Sequence, residues 1–214
     1  MLLIFDWDGT LSDSTSTIVE CMQKAAKSAG VRVCSVDAIR DIIGLGLPEV
    51  MQRLYPELGG EEHEHIRLEY VRHFLADDVE PSPFYPGVID GLSALRECGH
   101  TLAVATGKSR RGLDRVFSHF DLHQFFDASR CADETKSKPD PLMLHELLEQ
   151  FSCAPDQAIM IGDTEYDMDM ACRANIARVG VSYGAHDVER LHAYSPDVCV
   201  NHFAEFVHWL QQRY

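Results

Sequence analysis

Short apolar runs recur along this chain and are separated by longer segments with helical spacing. Each run has four or five residues, and most are apolar throughout, without the polar alternation of a half-exposed strand. Strands that are covered on both faces of a parallel sheet have this pattern. The runs predict five buried strands, at residues 2–5, 101–105, 158–161, 177–181 and 197–200.

Helical periodicity fills most of the segments between these runs. Val88, Leu92 and Leu95 fall at i, i+4 and i+7, which places them on one face of a helix. Residues 113–120 repeat this kind of spacing, and the Asp-Pro pair at residues 140–141 is typical of a helix start. Strands that alternate with helices in this way predict a doubly wound α/β fold around a parallel sheet.

Residues 15–82 depart from this alternation. A capping box from Thr17 to Glu20 predicts the start of one helix, and Pro48 predicts the start of another. Residues 66–74 have the apolar spacing of a third helix. No run in this stretch has the pattern of a strand, so we expect it to be an all-helical insert.

The chain is therefore expected to form two domains, an α/β core of residues 1–14 and 83–214 and the helical insert of residues 15–82. Its 214 residues are 45% hydrophobic and 25% charged, which is the composition of an ordinary globular protein. This is enough apolar material for a core that needs no disulfide or metal to fold. The seven cysteines form no CxxC pair, so we expect free thiols and a reducing, cytoplasmic location.

The charge balance argues against two classes of partner. Acidic residues outnumber Lys and Arg by 34 to 19, for a net charge of −15, whereas nucleic-acid-binding proteins carry a surplus of basic residues. No apolar run approaches the roughly 18 residues of a membrane span, and the N-terminal segment lacks the basic start of a signal peptide. We expect no nucleic-acid partner and no membrane association, and the sequence leaves monomer and dimer both open.

Acidic residues directly follow two of the predicted strands. Residues 6–10 read Asp-Trp-Asp-Gly-Thr, and Asp163 and Asp167 follow a later strand. Ligands of open α/β sheets bind beyond the carboxyl ends of the strands, so Asp6, Asp8, Asp163 and Asp167 are expected to converge there. Because like charges raise one another's pKa, such a cluster indicates a hard divalent cation, and Mg²⁺ with phosphate suits an open site. For the first segment alone, a solvated Asp-Gly turn is the alternative interpretation.

Two further segments supply groups that suit a phosphate. Thr106 and Gly107 follow a strand and precede a predicted helix, where a hydroxyl and unpaired backbone amides can bind an anion. The alternative is that Ser109 is only a helix cap and Thr106 is incidental. Lys138, held before a proline, would be the counter-charge to the acidic cluster. Taken alone it has the features of an exposed loop lysine, and Lys136 is the competing candidate.

In this order and at these spacings, the four segments resemble the four motifs of the haloacid dehalogenase superfamily. The resemblance covers essentially the whole chain, including a helical cap inserted between the first two motifs. Residues 84–88 and 105–109 are similar to the phosphoglycolate-phosphatase-like branch, and the Gly-Leu-Gly of residues 44–46 looks like the cap loop that closes over its site. The resemblance implies a Rossmann-like core that does the chemistry and a helical cap that selects the substrate.

The resemblance further implies a phosphatase that acts on small-molecule phosphate esters through an aspartyl-phosphate. Asp6 would be the nucleophile, and Asp8 would serve as general acid and then as general base. Thr106, the Gly107 amide and Lys138 would hold the phosphate, and Lys138 would also neutralise charge around the nucleophile.

The same resemblance implies Mg²⁺ as the cofactor. Its predicted ligands are Asp6, the backbone carbonyl of Asp8, and Asp163. Asp167 would instead orient either the surroundings of the metal or Lys138.

Several alternatives stay open at the level of sequence. The dehalogenases of the superfamily lack an acid at the position of Asp8, since a halide leaving group needs no proton, and the phosphonate hydrolases have an apolar residue there. A phosphomutase shares all the residues named above. From a different class, a phospho-acceptor regulatory module or a non-catalytic binding protein is conceivable, although a receiver-type module would lack the inserted cap.

Overall fold

A six-stranded parallel sheet forms the centre of the computed structural model, which describes residues 1–76 and 80–213. The strands lie in the order β3-β2-β1-β4-β5-β6. They are β1 Leu2–Phe5, β2 Thr101–Thr106, β3 Ala128–Cys131, β4 Ala158–Gly162, β5 Ala177–Val181 and β6 Val198–Val200. The five predicted strands are confirmed to within one residue at their ends.

The helices also follow the predicted alternation outside the insert. In chain order they are α1 Thr15–Ser28, α2 Val36–Arg40, α3 Leu47–Leu54, α4 Gly60–Phe74, α5 Val88–Glu97, α6 Arg110–His119, α7 Leu142–Gln150, α8 Glu165–Ala174, α9 Val188–His192 and α10 Phe203–Arg213. A short 3₁₀ turn, Pro155–Gln157, precedes β4. None of the helices in the described part of the chain is both long enough and apolar enough to cross a membrane.

Both faces of the sheet are covered, as the continuous apolar runs predict. On one face Leu3 and Phe5 belong to a buried cluster with residues of α5, α6 and α10. On the other face Leu2 and Ile4 belong to a second cluster with residues of α7 and α8. Because consecutive side chains of a strand point to opposite faces, a strand covered on both sides must be apolar at every position. This confirms the doubly wound α/β fold.

The strand register decides which loops meet. Phe5, the last residue of β1, pairs with Val104 of β2 on one side and with Ile161 of β4 on the other. All three strands run in the same direction, so the residues that follow them emerge at one edge of the sheet. The sequence-predicted site residues lie at this edge.

Three local predictions are wrong or incomplete. Strand β3 was not predicted, because its sequence Ala-Ser-Arg-Cys has one buried residue and no apolar pattern. Helix α1 begins two residues before the predicted capping box, because the Ser14 carbonyl already accepts the Ile18 N–H. The hydroxyl of Thr17 instead lies 3.1 Å from the hydroxyl of Ser82. Helix α7 begins at Leu142, one residue after the Asp-Pro pair.

Helices α1 to α4 share a buried cluster of their own. It includes Met22 of α1, Met51 of α3 and Ile66 of α4, and α1 packs along α4. One residue of the core, Tyr166 of α8, also belongs to this cluster. No strand occurs among the described residues from 15 to 82, and residues 77–79 lie outside the description. The functional division between core and insert stays a prediction.

Candidate active site

Asp6 and Asp163 lie side by side at the carboxyl edge of the sheet. Asp6 follows β1 directly, and its backbone N–H donates to the Ile161 carbonyl of β4 at 2.9 Å. Asp163 follows β4, and both carboxylates are at most 1% exposed. The central pairing of β1 with β4 therefore brings together two motifs that are more than 150 residues apart in the sequence.

Lys138 joins two of the buried carboxylates. Its Nζ donates to Asp6 Oδ1 at 2.5 Å and to Asp167 Oδ1 at 2.6 Å, and the side chain is fully buried. Burial by itself lowers the pKa of this lysine, but the charges of Asp167 and Asp6 outweigh it and raise the pKa overall. The ammonium group is therefore held in its charged form. Lys136, the competing candidate, is 67% exposed and lies 3.4 Å from Asp140.

Asp163 accepts hydrogen bonds from two other segments. The Thr10 hydroxyl donates to Oδ1 at 2.8 Å, and the Ala185 N–H donates to Oδ2 at 2.7 Å. Burial, and then the charge of Asp167, raise the pKa of Asp163 to about 7. Burial also raises the pKa of Asp6 well above its ordinary value, in spite of the opposing charge of Lys138. A nearby cation would stabilise the charged form of both carboxylates.

The structure contains an acidic group that fits such a cation. One carboxylate oxygen each from Asp6, Asp163 and Asp167 lie within 4.8 Å of one another. Asp6 Oδ2 is buried and has no hydrogen-bond partner, which is costly unless a ligand completes it. Asp167 is less available as a metal ligand, because its Oδ2 already accepts hydrogen bonds from the N–H and the hydroxyl of Thr164 at 3.1 and 2.7 Å. The donor set thus fits a hard, oxygen-liganded metal held mainly by Asp6 and Asp163.

The Asp8 carboxylate does not belong to this acidic group. Its Oδ1 accepts from the Ser14 hydroxyl at 2.6 Å and lies 2.9 Å from Lys108 Nζ. Asp8 instead lines a cavity above the sheet edge, together with Asp6. This leaves the side chain beside the nucleophile candidate, where a proton donor and acceptor is needed. Its backbone carbonyl as a metal ligand stays a prediction.

Gly107 borders the same cavity, and Thr106 precedes it as the last residue of β2. Thr106 is fully buried, and its hydroxyl accepts the Lys108 N–H at 3.2 Å. Ser109 caps α6 by accepting the Gly112 N–H at 3.2 Å. The cap interpretation of Ser109 is therefore correct, and it coexists with the placement of Thr106 and Gly107 at the site.

The loop at residues 44–46 of the helical insert lies against the core motifs. A side chain at Gly107 would meet the carbonyl oxygens of Gly44 and Leu45, at 2.5 and 2.7 Å from an ideal Cβ. The N–H of Gly46 donates to Ser137 Oγ at 2.7 Å, one residue before the buried lysine. The glycines on both sides thus allow a backbone-to-backbone approach that closes the cavity on this side.

A cavity lies between the insert and the core and is open to solvent on one side. Asp6 and Asp8 form its floor, and Gly107, Lys108 and Ser109 form one side. Helices α1, α3 and α4 and the loop at residues 42–47 supply the rest of the wall. A small molecule in this cavity would contact both parts of the chain.

Sequence reasoning missed five residues that support the site. Thr10 and Thr164 stand inside the two acidic motifs, so a hydroxyl next to a motif carboxylate was the available signal. Ser14 and Lys108 hold Asp8, and nothing in the sequence pattern assigned them this role. Ala185 contributes only its backbone N–H and leaves no signal in the sequence.

Comparisons with known proteins agree with this architecture. The family model of the haloacid dehalogenase-like hydrolases matches residues 3–181. "Probable phosphatase IndB" of Dickeya dadantii (strain 3937) is 32% identical over 96% of this chain and 91% of its own length. A "Phosphoglycolate phosphatase" of Psychrobacter arcticus is 28% identical over 100% of this chain and 96% of its own length.

Solved structures show the same fold. The crystal structure of a "predicted phosphoglycolate phosphatase" from Haemophilus somnus 129pt superposes with a TM-score of 0.88. It is 26% identical, and the match covers 98% of this chain and 97% of that one. The family match and the site geometry together place the chain among the haloacid dehalogenase-like hydrolases, as a phosphatase of the phosphoglycolate-phosphatase-like branch.

Proposed function

We propose that this chain is a Mg²⁺-dependent phosphatase that hydrolyses small-molecule phosphate monoesters through an aspartyl-phosphate at Asp6. The observation that carries the proposal is the state of the Asp6 carboxylate. One oxygen is held by Lys138, whereas the other is buried at the cavity floor without a partner. A carboxylate that Lys138 orients and that lines the cavity is suited to attack phosphorus with one oxygen while the other contacts the metal.

Each proton and bond of the reaction has a place among these residues. An oxygen of Asp6 attacks phosphorus, the bond to the leaving oxygen breaks, and Asp8 donates a proton to that oxygen. Asp8 then removes a proton from water, which attacks the same phosphorus and releases inorganic phosphate from Asp6. The Ser14 hydroxyl and Lys108 hold Asp8 in position for both steps.

The remaining groups stabilise charge. Thr106 and the Gly107 amide would bind phosphoryl oxygens, and Lys138 would offset the charge that builds up near Asp6. Asp6 and Asp163, with the Asp8 carbonyl, would hold Mg²⁺, which neutralises charge on the phosphate when bound. Asp167 would keep Lys138 in place.

We also propose that the helical insert acts as a cap that selects the leaving group. This is supported by the contact of its loop at residues 44–46 with Gly107 and Ser137, and by its share of the cavity wall. All seven cysteines are free thiols, which supports the proposed reducing, cytoplasmic location.

The test is hydrolysis of p-nitrophenyl phosphate with excess Mg²⁺ and with EDTA. We expect turnover with the metal, none with EDTA, and recovery when Mg²⁺ is restored. Asp6→Asn should abolish turnover, and acid quenching of the wild-type protein should trap a phosphorylated Asp6. Normal turnover in Asp6→Asn would refute the assignment of the nucleophile. Label that passes from Asp6 to a sugar phosphate instead of water would identify a phosphomutase.

A further inference from the structure

The wall of the cavity that faces away from the phosphate site is apolar. The helical insert contributes Ile18, Met22, Ile43, Val50, Val71 and Phe74 to it, with further apolar residues around them. Among the described residues of the insert that line the cavity, Tyr70 brings the one side-chain hydroxyl. A leaving group bound to Asp8 and this wall would therefore be surrounded mainly by hydrocarbon.

The same cavity offers little to a second negative charge. Lys108 is the one cation among the described lining residues, and its Nζ lies 2.9 Å from Asp8 and 4.6 Å from the centre of the Phe74 ring. The side chain is 7% exposed, so its charge is already taken up by a buried ion pair. A carboxylate on the leaving group would have to compete with Asp8 for this single lysine, and the described lining offers it no second cation. A carboxylate that stays unpaired in a low-dielectric site is costly.

A leaving group with many hydroxyls also lacks partners here. Ser109 accepts the Gly112 N–H as the cap of α6, so its O–H is the part that remains for a ligand, and Tyr70 is the other hydroxyl of the described lining. Buried hydroxyls without partners oppose binding, because their hydrogen bonds to water are lost. An apolar leaving group has no hydrogen bonds to water to lose, and its transfer from water to the apolar wall is favourable.

We propose that the preferred substrates are phosphate monoesters of uncharged, largely apolar alcohols, alkyl or aryl, and that Val71 of α4 helps to set this preference. The proposal rests on the phosphatase function proposed above. It separates this chain from an enzyme built for phosphoglycolate, whose leaving group carries a carboxylate.

The first experiment compares kcat/KM for ethyl, butyl and hexyl phosphate with that for phosphoglycolate and ribose 5-phosphate, all with excess Mg²⁺. The three alkyl alcohols differ little in reactivity, so their ratios report binding to the wall. We expect kcat/KM to rise about fourfold for each added methylene until the cavity is filled. Phosphoglycolate and ribose 5-phosphate should both lie at least about tenfold below hexyl phosphate.

A variant pair then tests the wall itself. Val71→Arg places a cation on the cavity side of α4, whereas Leu68→Arg makes the same change at a position of α4 that is 52% exposed. We expect Val71→Arg to raise the ratio of phosphoglycolate to hexyl phosphate turnover by about tenfold or more. Leu68→Arg should leave this ratio unchanged. Equal ratios in both variants would overturn the role of Val71.

The outcomes separate the two proposals. If the wild-type protein prefers phosphoglycolate or ribose 5-phosphate to hexyl phosphate, the proposal of an apolar leaving group is overturned, whereas the proposed phosphatase function stands. Failure to hydrolyse any of the five esters overturns the phosphatase. In that case, calorimetric binding of hexylphosphonate against phosphonoacetate decides the inference alone: tighter binding of hexylphosphonate supports it, and the reverse order overturns it.

Discussion

Lys138 allows the sharpest test of how the site is held together. Lys138→Met keeps an unbranched side chain of similar length but removes the charge that pairs with Asp6 and Asp167 at 2.5 and 2.6 Å. The three side chains are at most 1% exposed, so water cannot take over the role of the ammonium group. Breaking a buried ion pair by removing one partner costs about 3–5 kcal/mol. Domains of this size have roughly 5–15 kcal/mol of stability, so the loss would be large.

The assay is urea unfolding, followed by circular dichroism, in EDTA so that no metal replaces the lost charge. We expect the free energy of unfolding to fall by about 3–5 kcal/mol, and a thermal melt of the same variant should show a fall in Tm of roughly 6–20 °C. Lys136→Met is the matched control, because that lysine is 67% exposed and its ion pair with Asp140 spans 3.4 Å. We expect the control to change the free energy of unfolding by no more than about 0.5 kcal/mol.

A double variant tests the cause of the loss. In Lys138→Met with Asp167→Asn, one of the two uncompensated carboxylates is also neutralised, and we expect part of the lost stability to return. Such non-additivity is the signature of groups in direct contact. If Lys138→Met unfolds at the same urea concentration as Lys136→Met, the buried pair contributes nothing and the reasoning fails.

Two further predictions concern a glycine and a histidine. Gly9 has φ +87°, and an ideal Cβ there would run into the Asp163 carboxylate, whereas Gly30 has φ +69° and no neighbour within 4 Å. We expect Gly30→Ala to cost about 1–2 kcal/mol of stability and Gly9→Ala to cost more, because it also displaces Asp163. Only Gly9→Ala should reduce phosphatase turnover and Mg²⁺ binding, and equal activity of both variants would contradict this. Burial, followed by the charge of Arg190, lowers the pKa of His186. Its Nδ1 accepts the Glu165 N–H of the core, and its Nε2 lies 3.2 Å from the Asp41 carbonyl of the insert. The unfolded chain therefore binds a proton at this histidine more readily than the folded chain does. The contribution of neutral His186 to stability is fully present above pH 6.5 and is lost as the pH falls below it. In urea titrations, His186→Gln should lose less stability than wild type between pH 7 and pH 5, and identical pH profiles would refute the assignment.

The apolar runs predicted most of the sheet because the central strands are buried on both faces. Every residue of β1 and β4 is buried, so nothing in those strands interrupts the pattern. Strand β3 escaped prediction for the opposite reason. It lies at the edge of the sheet, three of its four residues are partly exposed, and its pairing with β2 decides its conformation.

The positions of the helices were also predicted better than the residues at which they begin. The spacing of apolar residues predicted where α4 and α5 lie, since each buries one face. The capping box from Thr17 to Glu20 had the right residue types, but Ser14 came first and provided the helix start. Residue types that can cap a helix are common, and the path of the chain before the helix selects among them.

The residue pattern alone was enough to predict five of the six strands, the helical insert and the presence of Asp6 and Asp163 at one edge. These follow from burial patterns and from the rule that parallel strands end on the same side. The packing of the elements was needed to show that Lys138 and not Lys136 is buried, that Asp167 holds this lysine, and that Asp8 is held by Ser14 and Lys108. It also decided that the insert presents an apolar wall to the site. Periodicity reports which face of an element is buried, whereas contacts between distant loops depend on how the elements are packed together.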